Sequence, residues 1–90
     1  MDMTRHASAR SQQRGIPPLV IDLLLGFGSR EPAGDGTAKV FFDRRARRRL
    51  GSYAGAVAHN LGDHLDVYAV VDAHERVITV AHRTQRIQRS

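Results

Sequence analysis

Two groups of histidine and arginine stand near the two ends of this 90-residue chain. His6, Arg10 and Arg14 are spaced by four, which on a helix makes one stripe. His82, Arg83 and Arg86 gather near the other end, and a third basic group, Arg44-Arg45-Ala46-Arg47-Arg48-Arg49, lies in the middle. Histidine can take or give a proton near neutral pH. Arginine presents a planar fork of donors that suits phosphate or carboxylate. These residue types fit chemistry on, or binding of, a phosphodiester. Spacing alone fits a solvated basic face equally well.

The composition permits that partner without demanding it. Lys plus Arg is 14 against 9 acids, for a net charge of +5, and Lys39 is the only lysine. A GC-rich genome would also favour arginine, so the charge is compatible with a polyanion and no more. Without cysteine, disulfides, thiol catalysis and cysteine zinc sites are excluded. The same absence suits a reducing cytoplasm, the expected location. The longest apolar run, Leu19 to Leu25, is too short to span a membrane and contains Asp22, so no membrane role is expected. The Arg- and Ser-bearing N-terminus includes Asp2, lacks an apolar core and leads directly into patterned sequence, so it belongs with the domain. The length suggests one domain over 1–90.

The positioning elements can be read in order. Thr4 to Arg14 can form a helix capped by Thr4 or Asp2 and stopped by Gly15. Pro17-Pro18 opens a second, with Val20, Leu23, Leu24 and Phe27 as its apolar stripe. The Gly26-Phe27-Gly28 triplet follows a helix and lacks the Lys and Ser/Thr of a phosphate loop, so it reads as a helix stop. Ser29 to Thr37 reads as a loop and Ala38 to Phe42 as a strand. Asp43 can cap a helix running from Arg44 to Leu61, with Ala46, Leu50, Tyr53, Ala54, Val57 and Leu61 as its buried stripe. Its arginines spread over an arc, which suits phosphate contact without sequence reading. Gly51 and Gly55 on its outer face mark a kink or a close approach.

His59, Asp63, His64 and Asp66 cluster at that helix's end. The two histidines lie about 140° apart on a helix. The helix dipole accounts for them without a metal, and neither metal nor cofactor is expected.

The clearest structural signal is a hairpin, Leu65 to Ile87, reversing around Ala73-His74-Glu75-Arg76. The expected register sets Asp72 opposite Val77, Val71 opposite Ile78, Ala69 opposite Val80, Val67 opposite His82 and Asp66 opposite Arg83. Leu65, Val67, Ala69, Val71, Ile78 and Val80 then share a core face that ends at His82. Asp66, Tyr68, Val70, Thr79, Ala81 and Arg83 share the other.

The segment His6-Ala7, Arg10, Arg14-Gly15-Ile16 has the form H-A-x-x-R-x-x-x-R-G-I. It resembles the N-terminal signature of small, mostly uncharacterised bacterial proteins related to BrnT-type toxins. The closing Val77 to Ile87, VITVAHRTQRI, is similar to the last strand of that group and to the ending of RelE- and ParE-like toxins. The resemblance implies an α+β, RelE-like domain. In it two N-terminal helices would pack against an antiparallel sheet. The elements read above add a central helix, Arg44 to Leu61, that does not map onto RelE, and give a three-stranded sheet in the order α-α-β-α-β-β.

It also implies a function. Metal-independent RNA cleavage needs a base for the 2′-hydroxyl, an acid for the leaving oxygen and cations for the phosphorane. On that reading His6, His82 and Arg83 are catalytic, and Arg10, Arg14 and Arg86 bind nucleic acid. Independently of the resemblance, the arc on the central helix adds Arg44, Arg45 and Arg48 as nucleic-acid-binding residues. The expected partners are RNA, with DNA as the alternative, and an acidic antitoxin protein. His6 and Arg83 should then lie within reach of one dinucleotide. Two other readings stay open: a basic RNA- or DNA-binding module without catalysis, and a ParE-like protein-interaction domain. At His82 itself, a core histidine bonded to backbone remains an equal alternative.

Overall fold

Alternation along four short strands divides this molecule into a covered side and an open side. The computed structural model describes residues 1–83. The class is α+β, and the sheet is antiparallel in the order β1-β2-β3-β4: β1 Ser29–Gly34, β2 Thr37–Phe41, β3 Val67–Val71 and β4 Val77–His82. The helices are α1 Arg5–Gln13, α2 Pro18–Phe27, α3 Arg44–Ala54 and α4 Ala56–Leu61, with a 3₁₀ turn at Gly62–Leu65. Val40 and Phe42, Val67, Ala69 and Val71, and Val77 and Val80 form one core with Ala7 of α1, Val20, Ile21 and Leu24 of α2, and Ala46 and Leu50 of α3. The intervening strand residues belong to no such core.

Local chemistry sets the helix ends. The Thr4 hydroxyl accepts the Ala7 N–H and caps α1, and Gly15 ends the following turn at φ 65°. Proline at the start of α2 costs it no needed N–H. Gly28 after α2 allows a close crossing, since a Cβ there would come within 2.6 Å of the Leu24 carbonyl and 2.8 Å of Val40 Cγ1.

Three expectations need correction. The sheet has four strands, because Ser29–Gly34 forms a strand where a loop was expected. The Asp35-Gly36 pair turns back with φ of 53° and 75°, the two-residue hairpin geometry in which both central residues have positive φ. Pro32 is tolerated because β1 is an edge strand. The element order is therefore α-α-β-β-α-α-β-β. Second, the central helix breaks at Gly55, where φ is 53°. Two members of its expected stripe are exposed around the break, Val57 at 51% and Tyr53 at 76% while resting on Phe27 at 5.0 Å, whereas Ala54 and Leu61 still pack against the core.

The third correction is inside the hairpin. Val67 pairs with His82, Tyr68 with Ala81, Ala69 with Val80 and Val70 with Thr79, as expected, and the Arg83 N–H donates to the Asp66 carbonyl. Nearer the turn, Val71 pairs with Val77, and Ile78 is the extra residue of a bulge. The cause is the loop. Asp72 N–H bonds the Arg76 carbonyl, leaving a three-residue loop with Glu75 at φ 64°. That loop is out of step by one, and the bulge restores the step. Val77 therefore takes the buried place expected for Ile78.

The outer edge of β4 is closed by the N-terminus. The Val77 N–H donates to the Asp2 carbonyl, and the Thr4 N–H donates to the Val77 carbonyl. This fixes where α1 begins along the strand.

Candidate nucleic-acid interface

The two terminal motifs meet at His82 and Arg14. α1 lies along β4 with Thr4 at the Val77 end and Arg14 at the His82 end. His82 lies 2.9 Å, through Nε2, from the Arg14 carbonyl. A carbonyl can only accept, so Nε2 must carry the proton and only Nδ1 is left to exchange one. The ring is exposed and tied to backbone, so the core-histidine alternative is half right.

His6 is exposed as the second residue of α1, and eight residues, about 12 Å of helix, separate it from Arg14. Arg83 follows His82 in extended chain and so leaves on the opposite face. The expected convergence of His6 and Arg83 gains no support: Ala7 seats α1 against the core on the covered side, whereas Arg83 lies over the Phe41 ring on the open side. Arg10 is half-buried and Arg14 exposed on α1. Arg86 and Ile87 lie outside the described residues.

The open face of the sheet is built from two cross-strand rows. Ser29, Phe41, Tyr68 and Ala81 form one; Glu31, Lys39, Val70 and Thr79 form the other. Phe41 and Tyr68 are thus direct neighbours on adjacent strands. Each carries a cation on its ring: Lys39 Nζ is 4.7 Å from the Tyr68 centroid, and the Arg83 guanidinium is 5.3 Å from that of Phe41. Contacts of this kind are worth about 0.5–1 kcal/mol at exposed sites. Arg83 also donates through Nη1 to the Phe42 carbonyl at 3.1 Å. Its Nε is buried with no hydrogen-bond partner among the described residues.

At the same end, α3 starts directly after β2. Asp43 accepts the Ala46 N–H and the Ser29 hydroxyl, and these bonds, the Ala46 one first, hold its carboxyl below the usual range. Its charge is thereby committed to capping. Of the arginines in α3, Arg47 pairs with Asp66 at 2.6 Å and Arg49 donates to the Phe27 carbonyl at 2.8 Å. Arg44, Arg45 and Arg48 are exposed, and among the described residues none of them joins an ion pair.

His59 lines an open groove of about 340 Å³ between α3 and α4, beside Arg47, Gly51 and Gly62. Among the described residues, no three potential metal ligands come together there or elsewhere. Nor is any helix among them long and apolar enough to cross a membrane.

Sequence reasoning placed Arg83 beside Tyr68 on the mixed face but missed Lys39 and Phe41 as their neighbours. The alternation Lys39, Val40, Phe41, Phe42 held the signal, because Val40 and Phe42 as core residues oblige Lys39 and Phe41 to face away. No protein-family model matches the chain, and neither a curated protein nor a solved structure matches it.

Proposed function

We propose that this protein is a basic nucleic-acid-binding domain of the cytoplasm that binds RNA, with DNA as an alternative, without cleaving it. The observation carrying this reading is the exposed trio Arg44, Arg45 and Arg48 on α3, none of which joins an ion pair among the described residues, at the same end of the sheet as Arg83. These arginines contact phosphate and position the strand, while the paired Arg47 and Arg49 hold the helix in place. Affinity then falls steeply as salt rises, through counterion release. The test is RNA affinity across a salt series, for the parent and for the combined Arg44→Gln, Arg45→Gln, Arg48→Gln variant. The variant should lose about two units of log–log salt slope, since single-stranded contacts contribute about 0.7 each. An unchanged slope would overturn this reading.

A second reading, the toxin-like endoribonuclease of a RelE-related fold, draws support from the exposed ring of His82 next to Arg83. It requires that purified protein cut RNA without metal, and that His82→Ala stop cleavage while the fold survives.

A further inference from the structure

We infer that the open face of the sheet is a stacking platform for single-stranded nucleic acid, in which Phe41 and Tyr68 each hold a base and Lys39 and Arg83 take the adjoining phosphates. The inference rests on the nucleic-acid-binding reading and adds to it a second surface and a strand preference.

Neighbouring strands lie about 4.8 Å apart, so rings on directly paired residues present two side-by-side faces. That is the arrangement successive, unstacked bases require. The side chains around the rings leave room. Ala81 beside Tyr68 and Thr79 beside Val70 are short, and Ser29 is the short neighbour of Phe41 on the other edge. Nothing in the core uses these rings, since the buried residues of β2, β3 and β4 all lie on the covered side.

The cations decide the occupant. A protein partner burying this face would have to bury Lys39 and Arg83 as well, and supply acids for both. A nucleic-acid strand offers a flat ring and an anion at every step, which matches a ring and a cation at each position. Stacking of a base on an aromatic ring is stronger than an exposed cation–π contact, so the base displaces the cation from the ring and the cation moves to phosphate. The opposing acids are few. Glu31 lies on the β1 edge, Asp66 is paired with Arg47, and Asp43 is engaged at the start of α3. The strand leaving the sheet at the Phe41 end meets Arg44 on α3 within three residues. A duplex cannot use this platform, because its base faces are already stacked.

Fluorescence anisotropy tests the inference, with labelled single strands of about ten nucleotides, RNA and DNA, and a duplex of the same length. Both single strands should bind more tightly than the duplex, since the rings read base faces and not the sugar. Phe41→Ala and Tyr68→Ala should each weaken single-strand binding by about five- to 150-fold, with Tyr68→Phe close to the parent. Circular dichroism should show that these variants stay folded. Should the alanine variants fold and bind as the parent does while the triple arginine variant loses affinity, the platform is excluded and the electrostatic reading stands. Should the parent bind no nucleic acid at all, both fail. A readout free of any risk from these alanine substitutions uses Tyr53→Phe, which leaves Tyr68 as the sole tyrosine. Its fluorescence should be quenched by a saturating single strand, and unchanged emission at saturation would overturn the platform.

Discussion

Phe41 and Phe42 are consecutive residues of one chemical type, and they do opposite work. Phe42 is 1% exposed in the core. Phe41 faces outward under the guanidinium of Arg83. The same contrast runs through the neighbouring strands: Val67, Ala69 and Val80 are buried, while Tyr68, Val70, Thr79 and Ala81 are half-exposed. The period of two in a strand thus separates core packing from the open face proposed for recognition within single-residue steps. A substitution should therefore disturb one property or the other, and the parity of its position decides which.

The largest test of that division is Phe42→Ala. Truncating a fully buried phenylalanine should cost about 3–5 kcal/mol, measured by urea unfolding, a large share of what a small domain has. Phe41→Ala should cost about 1 kcal/mol or less, the scale of an exposed cation–π contact, while weakening RNA binding. Equal losses of stability for the two would break the comparison. A smaller effect is expected on the covered side at Thr4→Ala. Losing the cap of α1 should cost about 1 kcal/mol in the same unfolding experiment, with RNA affinity unchanged, because α1 lies outside the proposed surface.

The smallest effect is on pH dependence. Asp72 accepts the backbone N–H groups of Arg76 and His74 in the hairpin loop, and these bonds depress its pKa. A carboxyl depressed on folding stabilises the fold above its unfolded pKa of about 4. That contribution is lost as pH falls below this value through the folded pKa. Thermal melting from pH 5 downwards should therefore decline more steeply for the parent than for Asp72→Asn, with both curves flat near neutrality. Identical acid limbs would show that the loop bonds carry no linkage.

The sequence was informative where periodicity or cap chemistry decided the outcome. The Thr4 and Asp43 caps and the pairing from Val67–His82 to Val70–Thr79 could be read from it. The stripe of α2 could be read in part: Val20 and Leu24 are buried as expected, but so is Ile21, and Leu23 and Phe27 are half-buried. It was silent where two equally apolar neighbours compete. Val77 and Ile78 both suit a core, and only the three-residue loop with Glu75 in the left-handed region selects Val77. Strand β1 lacks strand formers in SREPAG and exists because β2 gives it an edge to pair with, so its Asp35-Gly36 turn was the one local clue. Tyr53 and Val57 fit the helical stripe, but the break at Gly55 redirects the chain. For the candidate site, the histidine and arginine pattern at the ends was visible. Their arrangement in space was not, because it depends on which strand residue α1 is tied to.

Methyl resonances give the most direct test of the two-sided sheet. Val70, Thr79 and Ala81 report from the open face, and Val40, Val67, Ala69 and Val80 report from the core. On titration of a single-stranded oligonucleotide into isotope-labelled protein, the first group should shift progressively to saturation while the second stays nearly fixed. Shifts concentrated instead on Ala7, Ala9 and the other methyl groups of α1, with Val70, Thr79 and Ala81 unmoved, would contradict the account.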